Sequence, residues 1–251
     1  MEMYILPLGD CLCSHEVVAP GVADGEQIRI PVPGYLLRLD DGKNVLIDTG
    51  MSRIHIADAG ATWRGTPMAD LLVPDMDTDD DLEHQLSVLD LGPQDIHYVI
   101  NTHLHFDHAG NNEMFKNATF FVQREHYDVA VDNEIFPNRY WNLPELTYEL
   151  LDGELELFPG VETILTPGHA PAHQSVMVRL PETGNLVVCG DAVYLQANFD
   201  QDSWGGQADP VVARQSAMKL KDIAERENAA LLYGHDPDQA TKYQRSPFAY
   251  R

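Results

Sequence analysis

The stretch NTHLHFDHAG, residues 101–110, sets His103, His105, Asp107 and His108 within six positions. Alternate residues of an extended segment project to the same side, so His103 and His105 can share one metal ion. Asp107 and His108 lie just beyond and reach a second position. Imidazole suits zinc, and an added carboxylate suits zinc, iron, cobalt or manganese. A chance histidine cluster on a surface loop is the plain alternative. Against it stand three further candidates, each following a strand-like run: His169 in TPGHAP, Asp191 in CGDAVY and His235 in YGHDPD.

Such scattered groups need elements that bring them together. Residues 3–8, 34–39 and 44–48 read as strands, the last running into IDTG. IHYVIN (96–101) is a short β-branched run, which puts the histidine motif on a loop at a strand's C-terminal end. Residues 51–78 read as a long irregular stretch, a length that in a compact domain points to function. DDLEHQLSVLDLG has helical spacing at Leu82, Leu86 and Leu89, with Gly92 as its stop. A short helix is expected at 111–115, a strand at TFFVQ and a helix at REHYDVAV. Then come the strands TYELL, LELF, VETILT, HQSVMVRL and NLVVCGD, the helix PVVARQSAMKLKDIAERE and a last strand, AALLY. Two blocks of strands, each closed by helices, predict two sheets packed face to face with helices outside.

Composition narrows the partners. The 251 residues fit one large two-sheet domain, 1–251, and 44% hydrophobic residues supply its core. Acidic residues number 40 against 16 basic ones, a net charge of −24. That excludes a nucleic-acid partner, which needs clusters of Lys and Arg, and disfavours anionic membranes and highly anionic substrates. No apolar run reaches membrane length. The opening MEMYILPLGD lacks a basic start and a cleavage site, so it reads as a first strand and not as a signal peptide. Three cysteines, Cys11, Cys13 and Cys189, are too few for a disulfide framework and fit a reducing cytoplasm. Cys11-Leu-Cys13 alone is a weak metal signature, and a structural role is expected for these thiols.

H-x-H-x-D-H followed by single His, Asp and His residues at strand ends resembles the metallo-β-lactamase superfamily. Within it the chain most resembles the N-acyl-homoserine lactone lactonases, the quorum-quenching enzymes. The words that carry this are YILPLGDC, LIDTGM, HLHFDHAGNN, TPGHAPAHQS, GDAVY with NFD after it, and LLYGHD. The resemblance implies an α/β fold, an αββα sandwich of two mixed sheets flanked by helices. It implies two divalent ions per chain, with zinc the first choice and cobalt, iron or manganese compatible. His103, His105 and His169 would hold one ion; Asp107, His108 and His235 would hold the other; Asp191 would bridge them. The substrate would be a small lactone, and the chain a monomer or homodimer. A metal-bridging hydroxide would attack the ring carbonyl, Asp107 would protonate the leaving oxygen, and Tyr194 would hydrogen-bond the substrate near that carbonyl.

Other residues are expected in supporting roles. Asp48 and His173 should hydrogen-bond ligands without ligating. His15, His55, His84, His97 and His126 read as surface or satisfied histidines. An apolar groove for the acyl chain is expected from the 51–78 stretch, with Ile54, Ile56, Trp63, Met68 and Leu71 as its wall. Phe106 fits either that groove or ordinary packing. The alternatives are a pyridoxolactone-type lactonase, a thioesterase like glyoxalase II, and a mononuclear-iron oxidoreductase like the persulfide dioxygenases. A complete second ligand set disfavours the last, and the lack of a basic C-terminal helical extension disfavours the second. A β-lactamase commonly places Cys where Asp191 stands, a nuclease needs basic surface, and a non-enzymatic metal-binding protein would not need Tyr194.

Overall fold

The computed structural model describes residues 1–251. Its first sheet has seven strands in the order β4-β1-β2-β3-β5-β6-β7. These are β1 (Glu2–Ser14), β2 (Gln27–Arg38), β3 (Asn44–Ile47), β4 (Leu72–Asp75), β5 (Tyr98–Ile100), β6 (Thr119–Gln123) and β7 (Thr147–Leu151). The second sheet has five, in the order β12-β11-β10-β9-β8: β8 (Glu156–Phe158), β9 (Val161–Leu165), β10 (Gln174–Leu180), β11 (Gly184–Val188) and β12 (Ala229–Leu232). Both sheets are mixed: β3, β5, β6 and β7 run parallel to one another, β11 and β12 likewise, and every other pairing is antiparallel.

The layering follows from side-chain alternation along strands buried on both faces. Val45 and Ile47 point into the core between the sheets, where they meet Val176, Val178, Leu186 and Val188. Leu46, between them, points outward to Leu82 and Leu86 of the helix Leu82–Ser87. Likewise Met177 and Val187 leave the inter-sheet core and meet Ala217 and Leu220 of the helix Pro210–Glu227. The result is helix, sheet, sheet, helix, the expected αββα sandwich. That last helix starts on a strong signal: Asp209 accepts from Val211 and Val212 backbone N–H at 3.1 Å, and Pro210 occupies the first turn. It ends at Asn228 in the left-handed conformation, φ 50°. No helix is long and apolar enough to cross a membrane.

Three expectations need correcting. The 51–78 stretch is not irregular throughout, because β4 lies within it and pairs with β1 at the edge of the sheet. β1 runs to Ser14 and β2 starts at Gln27, so both are longer than 3–8 and 34–39. The strand runs are interrupted to the eye by Pro7, Pro31 and Pro33, but the register shifts between Pro7 and Asp10, and a bulge tolerates residues that cannot donate to the ladder.

Candidate metal centre

Every candidate ligand sits just beyond a strand's C-terminal end. β5 leads into His103, His105, Asp107 and His108; β9 into His169; β11 into Asp191; β12 into His235. The strands of two sheets thus deliver ligands to one rim of the sandwich.

Three imidazole nitrogens converge there. His103 Nε2 is 2.9 Å from His105 Nδ1, and His169 Nε2 is 3.0 and 2.9 Å from those two atoms. A second cluster places His108 Nε2 and His235 Nε2 each 3.7 Å from Asp107 Oδ2. Asp191 stands between them. Its Oδ2 is 3.2 Å from His169 Nε2 and 3.7 Å from His103 Nε2, while its Oδ1 is 3.1 Å from both His108 Nε2 and His235 Nε2. One carboxylate thus turns one oxygen to each cluster.

The residues fit two divalent cations. Each cluster offers imidazole and carboxylate donors of the kind that zinc and its first-row neighbours take. His108 Nε2 and Asp191 Oδ1 are buried without a hydrogen-bond partner although they lie 3.1 Å apart. Buried polar atoms left this way are costly unless something else binds them. Burial, reinforced by the neighbouring imidazoles, holds His103 and His105 well below the usual histidine range, so their lone pairs are free at neutral pH. Burial also works against charging His108 and His235, but the Asp191 and Asp107 carboxylates outweigh it and raise both. That second cluster calls for positive charge.

The outer nitrogens of the ligands are held as well. His108 Nδ1 lies 2.8 Å from Asp48 Oδ2. Thr102 Oγ1 donates to the same oxygen at 2.7 Å and lies 3.1 Å from His103 Nδ1, so Asp48 braces a ligand in each cluster. His235 Nδ1 donates to the Pro31 carbonyl at 2.8 Å. His173 accepts from the Asp191 backbone N–H at 3.1 Å. Asp48 and His173 are therefore supports, as expected.

Some supports were not legible. His126, expected only to be satisfied, accepts from the Leu104 backbone N–H at 2.9 Å and donates to Pro171 O at 2.8 Å, fixing the peptide between His103 and His105. Asn111 donates to the Thr49 and Met51 carbonyls at 2.8 and 2.6 Å, stapling the motif to the IDTG turn. The only signal for Asn111 was its place in the HAGNN word; His126 and Gln207, which also reaches the site, carried none.

Beside the clusters opens a cavity of about 200 Å³, with His105, Asp107, His169, Asp191, Tyr194 and His235 at its floor. Its wall is apolar and includes Trp63, Met68, Leu71 and Phe106. Ile54 and Ile56, expected in that wall, are not in it. Ile54 is 41% exposed, because the one-turn helix Ile54–Ala57 turns His55 inward to bond Thr62 Oγ1 at 2.8 Å and leaves Ile54 outward. Val17, Val18, Ile30 and Ile135 also line the cavity, from segments that gave no sign of it. Phe106 serves both expected roles, lining the cavity and packing edge-on against Trp63 at 5.6 Å. Burial raises the Cys11 thiol well up and Cys13 to about 11, which suits the structural role expected of them.

The model of the metallo-β-lactamase superfamily matches residues 29–235. The chain is 34% identical over 238 residues to the N-acyl homoserine lactonase AiiA of Bacillus thuringiensis subsp. kurstaki, covering 95% of this chain and 94% of that one. It is 32% identical over 262 residues to the N-acyl homoserine lactonase AttM of Rhizobium radiobacter, covering 100% and 98%. Among solved structures it is similar to an N-acyl homoserine lactone hydrolase with the product N-hexanoyl-L-homoserine bound at its catalytic metal centre. That match has a TM-score of 0.92 at 32% identity and covers 99% of this chain and 98% of the other.

Proposed function

The chain belongs to the metallo-β-lactamase superfamily, among the N-acyl homoserine lactonases, and on that premise we propose that it hydrolyses the ring ester of N-acyl-homoserine lactones. The observation that carries the reading is Asp191, with one oxygen at each of two ligand clusters, on the floor of an apolar cavity. In our reading His103, His105 and His169 hold one divalent ion, Asp107, His108 and His235 hold another, and Asp191 serves both. Zinc is the first choice. When bound, the two ions would supply polarisation of the ring carbonyl and a water acidified to a pKa of about 7.

The chain's own residues do the rest. The apolar wall takes the acyl chain and keeps bulk water from the reacting ester. Burial holds the Tyr194 phenol well above its ordinary range, so it stays protonated and can donate to the carbonyl oxygen as charge develops there. Asp107, buried on the cavity floor, accepts the proton released by the attacking water and returns it to the ring oxygen as the C–O bond breaks. The product is an acyl-homoserine with a new carboxylate.

The deciding experiment is mass spectrometry of an acyl-homoserine lactone, and of a panel of other lactones and esters, after incubation with the metal-loaded protein. One water should be added with the amide intact, and acid should re-close the ring. Release of free fatty acid and homoserine lactone would show an amidase instead.

Tyr194→Phe should retain full metal content yet lose roughly ten- to a hundredfold in kcat/KM, carried mainly by kcat. That is smaller than the about 10²–10³ of a sole oxyanion donor, because the ions share the task. Full turnover in the loaded variant would remove Tyr194 from the chemistry.

Trp63→Leu should raise KM more for long acyl chains than for short ones, by about tenfold where roughly two methylenes lose their contact, at about 0.8 kcal/mol each. Ile54→Ala should leave KM unchanged at every length. Equal responses of the two variants would move the acyl chain out of this cavity.

A further inference from the structure

Gln207 lies between the helices Gln196–Asp200 and Pro210–Glu227, is 6% exposed, and touches two members of the first cluster. Its Nε2 donates to the Asp191 backbone carbonyl at 3.0 Å, and its Oε1 lies 3.1 Å from His169 Nδ1. A carbonyl oxygen only accepts, so Asp191 fixes which end of the amide is the nitrogen. The oxygen left facing His169 also only accepts. Gln207 therefore tolerates a single neutral form of the His169 ring, with the proton on Nδ1 and Nε2 bare.

Tyr194 makes no such distinction. Its hydroxyl is 2.8 Å from the same Nδ1, but a phenol both donates and accepts. Left with Tyr194 alone, His169 has two satisfied arrangements. In one, Nδ1–H donates to the phenol oxygen. In the other, the phenol donates to a bare Nδ1 and the ring proton moves to Nε2, which faces the His103 and His105 nitrogens. The second arrangement fails twice: a protonated Nε2 cannot ligate, and Tyr194 has used its only proton.

We infer that Gln207 is a positioning residue, which keeps the His169 proton on Nδ1 and so leaves Nε2 free for the metal and the Tyr194 hydroxyl free for the substrate. The inference rests on the reading that His169 ligates through Nε2. It also ties two ligands from different strands, since the same amide holds the Asp191 backbone and the His169 side chain.

The test uses the full chain loaded with zinc and labelled with ¹⁵N-histidine, in which the His169 Nδ1–H is followed by NMR. In the wild type it should exchange slowly with water. It should stay slow in Tyr194→Phe, because Gln207 still accepts it, and become faster in Gln207→Leu, where the only acceptor left is the Tyr194 phenol, which can also turn to donate. Zinc affinity of Gln207→Leu, by competition with a chromophoric chelator, should fall about 10–100-fold. An unchanged zinc affinity, or fast exchange in Tyr194→Phe, overturns the assignment, and the latter measurement decides the matter even if Gln207→Leu does not fold. Failure of the wild-type protein to bind zinc or any other divalent ion would instead strike down the metal reading beneath it.

Discussion

Asp191→Ala will strip the protein of both ions together and lower turnover by at least about 10³. The expectation comes from one side chain having an oxygen at each cluster, 3.2 Å from His169 Nε2 on one side and 3.1 Å from His108 and His235 on the other. Losing a support that merely orients a ligand typically costs 10–100-fold in metal affinity or activity. Here a direct donor to both positions is lost, and the two losses compound. Removal also leaves the imidazoles of His108 and His235 without the carboxylate that most favours their charged forms. His169→Ala, which touches only the first cluster, serves as the contrast: it should lower metal content while sparing part of the second. Elemental analysis of wild-type protein should approach two ions per chain, with the Asp191→Ala protein near zero. Retention of one full equivalent by Asp191→Ala would mean that the carboxylate does not serve both positions.

Much of this site was open to reading from the sequence for a physical reason. The ligands follow short, strongly β-branched or apolar strands, and a parallel strand buried on both faces announces itself as a continuous apolar run. NVLI before Asp48, YVI before the histidine motif and NLVV before Asp191 are such runs. The cavity wall was harder, because its members belong to segments with no period. Trp63, Met68 and Leu71 were found because they share a long loop, but so do Ile54 and Ile56, and only tertiary packing separates them. β4 was missed for a related reason. It is a four-residue edge strand containing Pro74, which no strand pattern would select. Gln207 had no signal at all: its significance lies in two hydrogen bonds to residues distant in the chain.

Gly110→Ala should be strongly damaging although it alters no candidate ligand. Gly110 ends the HFDHAG run, and its backbone N–H donates to the Gly50 carbonyl at 2.9 Å. A Cβ there would lie 2.4 Å from the Phe106 carbonyl oxygen, 2.5 Å from the Ser52 nitrogen and 2.7 Å from the Gly50 carbonyl oxygen. All three are backbone atoms on two separate segments, so no rotamer change relieves the contact. Inserting one carbon into a packed site usually costs about 1–3 kcal/mol, occasionally more. With backbone on every side, about 3–4 kcal/mol is expected, which for a chain of this size lowers Tm by roughly 10 °C. The strain also falls between the IDTG turn and the loop that carries Asp107 and His108. Metal content should therefore drop even at temperatures where the variant stays folded, and the cluster of Asp107, His108 and His235 should empty first. Gly60→Ala is the control, since its nearest neighbour would be the flexible Arg64 guanidinium at 3.5 Å, and its effect should stay within about 0.5 kcal/mol. Thermal melts of the two variants alongside wild type, with metal analysis of each, settle the point: a Gly110→Ala protein that melts with the wild type and keeps its metal would show that the motif loop and the IDTG turn are not locked together as the structure draws them.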